Sequence, residues 1–174
     1  LQQHKTWRTA REWVDYIRTR PLGPNLISFL GHSDLRVATL GLHRATDRAV
    51  KPSEAELQTM ERQLEEALDI GFLGLSTMRL KWDKIDGDRE WSKSLPSTYA
   101  RFAEMRRLNH ILRRRGRVHQ GAPNAANPFQ IFEYVGAALG WLRRPMKMTL
   151  IALIELKGNI TVRPMAQMVS RFIN

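Results

Sequence analysis

The spacing of apolar positions changes along this chain, and each change marks a new element. Trp13, Tyr16 and Ile17 fall at helical spacing within Thr9 to Arg20, a segment that stops before Pro21. Pro21-Leu22-Gly23-Pro24-Asn25 reads as a turn, and Leu26 to Leu30 as a short buried strand closed by Gly31. Ser53 and Glu56 have the spacing of a capping box, in which each side chain satisfies a backbone N–H of the first helical turn. Behind that box, Leu57, Met60, Leu64, Ala67 and Leu68 make one apolar stripe, and Gly71 suits the stop. Phe72 to Leu75 follows as a strand.

The same order then recurs. Ser97 is the expected cap of a helix with apolar positions Phe102, Met105, Leu108, Ile111 and Leu112, ended by Gly116. Arg117-Val118-His119 is a short strand. Asn127-Pro128 supplies an N-cap and a first-turn proline for a helix through Leu139. Lys147 to Leu156 is the most strand-like run, and Thr161 to Ile173 is the expected last helix. Strand followed by helix, repeated, predicts an α/β fold of about four parallel β/α units with right-handed crossovers. Two architectures satisfy it: a small doubly wound sheet, or part of a (β/α)8 TIM-type barrel. A whole barrel takes about 250 residues, so 174 residues hold only part of one. The polar but Trp-punctuated segment from Met78 to Leu95 reads as an elaborated loop on the strand-to-helix side, where such folds put function.

Composition narrows the class. At 43% hydrophobic residues the chain can bury a core, and its longest apolar run, Met148 to Ile154, falls far short of the roughly 20 residues that span a bilayer. No membrane partner is expected. No cysteine occurs, which removes disulfides and thiolate chemistry and fits a cytoplasmic setting. The chain begins Leu-Gln-Gln-His, as a processed chain or a piece of a longer one would. A formal charge of +11 raises nucleic acid as a partner. Much of that excess sits in Arg101, Arg106, Arg107, Arg113, Arg114, Arg115 and Arg117, with only Phe102 among them to stack on a base. A solvated helix face, or a face covered by an acidic partner, explains the run more simply.

In a parallel α/β fold the polar residues just after the strands converge on one rim. Here they are Gly31-His32-Ser33-Asp34, Ser76-Thr77, His119-Gln120, and Glu155 with Lys157. Each has a plainer alternative. His32 to Asp34 suits a turn that caps the next segment. His119 could simply end its strand, and Glu155 with Lys157 could form an ion pair on one strand face. Ser76 has no His or acid at a diagnostic spacing, so a serine hydrolase is not indicated. Neither a His-x-His nor a His-x-x-x-His pair occurs, so no complete metal site is visible.

Gly31-His32-Ser33-Asp34-Leu35-Arg36, preceded by Pro21 to Asn25 and followed by Gly41-Leu42, resembles a signature of the N-acyl-D-amino-acid deacylases (D-aminoacylases) of the amidohydrolase superfamily. Glu65 to Thr77 and Gly116 to Gln120 extend the resemblance, which runs from about Trp7 to Asn159. It implies a (β/α)8 hydrolase in which zinc activates water against the amide C–N bond of an N-acyl-D-amino acid. It also implies that residues 1–174 are the central part of one barrel domain. The family's His-x-His pair and a bridging ligand lie upstream and its catalytic Asp downstream, so this chain alone is expected to be inactive. The partners then expected are the small-molecule substrate and the remainder of the barrel or another subunit. Within the chain the resemblance points to His119 as metal ligand, Glu155 as ligand or acid/base, and His32 as a strand-end or catalytic residue. Lys157 falls to the substrate carboxylate, with Ser76 and Gln120 beside the substrate. Glu155 stands where many members carry His, so a different metal set, or a hydrolase scaffold without activity, also fits. A non-catalytic basic α/β module is the competing reading.

Overall fold

The computed structural model describes residues 6–124, 127–140, 144–151 and Gln167. Helix α1 (Ala10–Arg18) leads to strand β1 (Phe29–Gly31), then helices α2 (His32–Leu40), α3 (Leu42–Ala45) and α4 (Glu54–Asp69). Strand β2 (Gly74–Met78) is followed by a short 3-10 turn (Pro96–Tyr99) and helix α5 (Phe102–Arg114). Strand β3 (Val118–Ala122), helix α6 (Pro128–Leu139) and strand β4 (Lys147–Leu150) complete the order. The strands form one parallel sheet in the order β1-β2-β3-β4, so consecutive strands are neighbours joined by crossover helices. These are consecutive β/α units of the kind that make up a (β/α)8 barrel.

Local chemistry sets the clearest ends. Both halves of the Ser53/Glu56 capping box form, and Thr9 with Glu12 makes a second one at α1. The Asn127 side chain accepts from the Phe129 N–H, as an N-cap does. Other ends move. The run Leu26 to Leu30 shortens to Phe29–Gly31, because Leu26 and Ile27 stay exposed. Strand β2 starts at Gly74 rather than Phe72, since the Phe72 N–H bonds back to the α4 carbonyl of Ala67 at 3.0 Å and its ring meets Trp13. Strand β3 runs past His119 to Ala122. The β4 run is a strand over Lys147–Leu150, and its continuation to Leu156 lies outside the described residues. So does the expected last helix, apart from Gln167.

Two expectations at α5 are corrected. Arg101, not Ser97, occupies its N-cap position, while Ser97 donates to the Met78 carbonyl at 2.5 Å and pins the loop to the end of β2. Phe102 is exposed, and Glu104 is buried on the packed face instead. Helix α2 follows β1 without a linker and was not predicted. Its inward positions are His32, Leu35, Arg36 and Leu40, a stripe half polar and therefore invisible to an apolar-periodicity reading.

The core lies on one side of the sheet. Met60, Leu64 and Leu68 of α4, Leu108, Ile111 and Leu112 of α5, and Leu35 and Leu40 of α2 close over Leu75 of β2. Each side chain of that size contributes about 1.5–3 kcal/mol by leaving water. Charge reinforces the helix pair: Arg107 reaches Glu61 and Glu54 at 2.7 Å, and Arg114 and Arg115 pair with Glu65 and Asp69. The acidic partner of this arginine face is α4 of the same chain. Among the described residues no helix is long and apolar enough to cross a membrane.

Strand β2 also needs a glycine. A Cβ on Gly74 would sit 1.7 Å from the Val118 carbonyl oxygen of β3. Gly74→Ala is therefore expected to cost about 1–3 kcal/mol as the sheet is forced apart. A lowered urea midpoint checks this, and an unchanged one contradicts it.

Candidate functional site

The pleat of the sheet divides the candidate residues between two faces. Gly31, Ser76, Gln120 and Thr149 are partners in register across the four strands. Leu30, Leu75, His119 and Met148 form the adjacent row, whose Leu75 is packed under α4 and α5. The first row therefore faces away from the helices. Ser76 and Gln120 lie there, half-buried, with the Ser76 hydroxyl donating to Gln120 Oε1 at 3.1 Å. That leaves the Gln120 amide nitrogen as a donor and the Ser76 oxygen as an acceptor on the open face.

His32 and His119 belong to the other face, and both are fully buried. His32 opens α2, so its ring turns inward to α5, where Nε2 meets Glu104 Oε1 at 2.7 Å. Its Nδ1 lies 3.3 Å from the Thr77 hydroxyl, which in turn lies 3.1 Å from His119 Nε2. Arg36, one turn along α2, bonds the second oxygen of Glu104. Sequence reasoning gave no role to Glu104 or Arg36, and set Thr77 beside Ser76 on one rim. The available signal was a charged residue inside an apolar helical stripe, with His and Arg four apart on another helix.

Electrostatics follow from burial. Desolvation works to raise the Glu104 carboxyl, but the hydrogen bond from His32 and the Arg36 guanidinium beside it outweigh it and hold the group below its ordinary range. Burial, with His32 and Arg79 nearby, pushes the His119 imidazole down to about 3. Tyr134 of α6 lies against it, ring centroids 5.2 Å apart, and burial raises its phenol. A Cβ on Gly121 would collide with the Tyr134 ring at 2.2 Å, so the glycine makes room for that contact.

The structure thus brings Ser76 and Gln120 together on one face and His32 and His119 together on the other. Glu155 and Lys157 lie outside the described residues. Among the described residues no group of three or more His, Cys, Asp or Glu could hold a metal ion. His119 already spends Nε2 on Thr77, and His32, on the other side of that hydroxyl, is bound to Glu104. The described residues therefore do not fit a zinc site by themselves.

The fold class is α/β, four parallel strands with crossover helices, as in part of a (β/α)8 barrel. Among solved structures it matches N-acyl-D-glutamate deacylase from Bordetella bronchiseptica, complexed with zinc and a phosphonate mimic of the reaction's tetrahedral intermediate. That match has a TM-score of 0.63 at 18% identity and covers 94% of this chain and 31% of the deacylase. In sequence the chain is 45% identical over 160 residues to uncharacterized proteins of Mycobacterium tuberculosis and Mycobacterium bovis, covering 91% of this chain. It spans about a quarter (26%) of their length. It is also 38% identical over 69 residues to N-acyl-D-aspartate deacylase of Alcaligenes xylosoxydans xylosoxydans, covering 40% of this chain and 13% of that protein. No protein-family profile matches the chain.

The depressed His119 has a sign that can be measured. Between its ordinary 6.5 and its folded value of about 3, the unfolded chain takes a proton that the folded one refuses. Stability therefore falls as pH drops through this window, by on the order of 2 kcal/mol from pH 7 to pH 5. Glu104 adds to the loss only at lower pH, because its stabilising charge survives until pH falls through its lowered folded value. Urea unfolding at the two pH values should show this loss in wild type and little of it in His119→Gln. An equal loss in both proteins contradicts the assignment.

Proposed function

We propose that this chain is the central part of the barrel domain of a D-aminoacylase-like amidohydrolase, which cleaves the amide C–N bond of N-acyl-D-amino acids. The fold likeness to a deacylase over 94% of the chain carries this reading. The local sequence likeness to N-acyl-D-aspartate deacylase supports it. Both of those relatives are named for acidic D-amino acids, whose N-acyl forms carry two carboxylates. An N-acyl derivative of an acidic D-amino acid is accordingly the first substrate to try.

In this reading the open face of the sheet is the substrate side. Ser76 and Gln120 offer a paired acceptor and donor to the acyl-amide group. Lys157 supplies the cation for a substrate carboxylate, and Glu155 acts as a ligand or as the acid/base that moves a proton to the leaving amine. Zinc supplies water activation in such chemistry. The described residues do not hold it by themselves. Residues outside these elements, in the remainder of the barrel or another subunit, complete the site. This reading sets no role for Arg107, Arg114 and Arg115, which are paired with α4.

The test is release of free amino acid by the zinc-loaded full-length protein from N-acetyl-D-glutamate and N-acetyl-D-aspartate, with the L-enantiomers alongside. Turnover of a D-substrate is expected. Loss of one charge-assisted hydrogen bond, worth roughly 1.5–3 kcal/mol, makes Lys157→Ala raise KM about 10- to 150-fold with a smaller effect on kcat. No turnover of any N-acyl-amino acid contradicts the proposal.

A further inference from the structure

Behind the sheet, four side chains from four elements stand in line. Glu104 of α5, His32 of α2, Thr77 of β2 and His119 of β3 are joined by contacts of 2.7, 3.3 and 3.1 Å. At the far end, His119 Nδ1 and the Tyr134 hydroxyl are both buried and have no hydrogen-bond partner among the described residues, although their rings are in contact. At the near end, Arg36 holds the second oxygen of Glu104.

We infer that these residues form a one-way hydrogen-bond wire, His119 to Thr77 to His32 to Glu104, which fixes His119 with its proton on Nε2. The direction follows from counting donors. An ionised Glu104 can only accept, so His32 Nε2 carries a proton and donates. A neutral His32 then has a bare Nδ1, which must accept from the Thr77 hydroxyl. That spends the only proton Thr77 has, so the 3.1 Å contact from His119 must be a donation from Nε2–H. His119 is left with a bare Nδ1, which has no hydrogen-bond partner among the described residues.

The reverse direction fails on two counts. It needs protons on both nitrogens of His32, adding a charge beside an Arg36–Glu104 pair that is already balanced. It also puts a proton on His119 Nδ1, a buried atom with no hydrogen-bond partner among the described residues. Buried donors are almost always paired, so the forward wire, which leaves no histidine N–H without an acceptor, is the one that holds. In it His32 and His119 are positioning residues. They grip β2 and β3 from the helix side, opposite the face that carries Ser76 and Gln120. The inference does not depend on which reaction the open face performs.

A neutron crystal structure of the full-length protein reads the wire directly. Deuterium on His119 Nε2, none on Nδ1, and the Thr77 deuterium aimed at His32 are expected. Deuterium on His119 Nδ1 overturns the inference. Nitrogen-15 spectra of histidine-labelled protein give a second reading. Wild type and Thr77→Ser should show one His119 tautomer, and Thr77→Val a mixture of two. A Thr77→Val spectrum unchanged at His119 overturns it, as does a shift of the His119 signal when zinc is added. Failure of the amide-hydrolysis assay leaves all of these readouts intact, so the two proposals fall separately.

Discussion

The carboxylate of Glu104 is the contact on which the described structure depends. It is 2% exposed, and a charge in such a place survives only when it is paired and hydrogen-bonded. His32 satisfies one oxygen and Arg36 the other, and both come from α2. The helix can therefore start in only one place. His32 must be its first residue, directly after Gly31, so that the ring reaches α5 while Arg36 follows one turn later. The abrupt change from β1 to α2 is what this geometry requires.

From that fixed point the sheet inherits two unlike faces. The helix side is sealed by α4 and α5 and carries the histidines. The open side carries Gly31, Ser76, Gln120 and Thr149 in one register row. A polar row on the open face and a polar network behind it are separated by one pleat of backbone. Residues adjacent in sequence, Ser76 beside Thr77 and His119 beside Gln120, therefore serve opposite sides. A mutation that shifted register by one residue would exchange the two sets.

This division explains what could be read from the sequence. The caps of α4 and α6 and the stripe of α4 are local signals, and they survive folding. The parallel β/α order was legible for the same reason, since it needs only the sequence of element types. The open-face pair was also reachable, because Ser76 and Gln120 each stand directly after an expected strand. The role of His119 was not, since a lone histidine on a strand carries no mark of which face it joins. Its face is settled by the pairing of His119 with Leu75 across 44 residues of chain. Helix α2 escaped detection because two of its four inward residues are His and Arg, which are matched only by Glu104 in a distant helix. Ser97 was given to α5 as a cap on local grounds, and a longer-range bond to Met78 claimed it instead.

The most direct measurement of this account is a double-mutant cycle between Arg36 and Glu104, read by urea unfolding at neutral pH. Arg36→Met and Glu104→Leu each strand a buried partner and are expected to cost roughly 3–5 kcal/mol alone. The double variant should cost several kcal/mol less than the two together, because no member of that pair is left behind. Two costs that simply add would mean that Arg36 and Glu104 do not support one another, and the arrangement of α2 would need another cause.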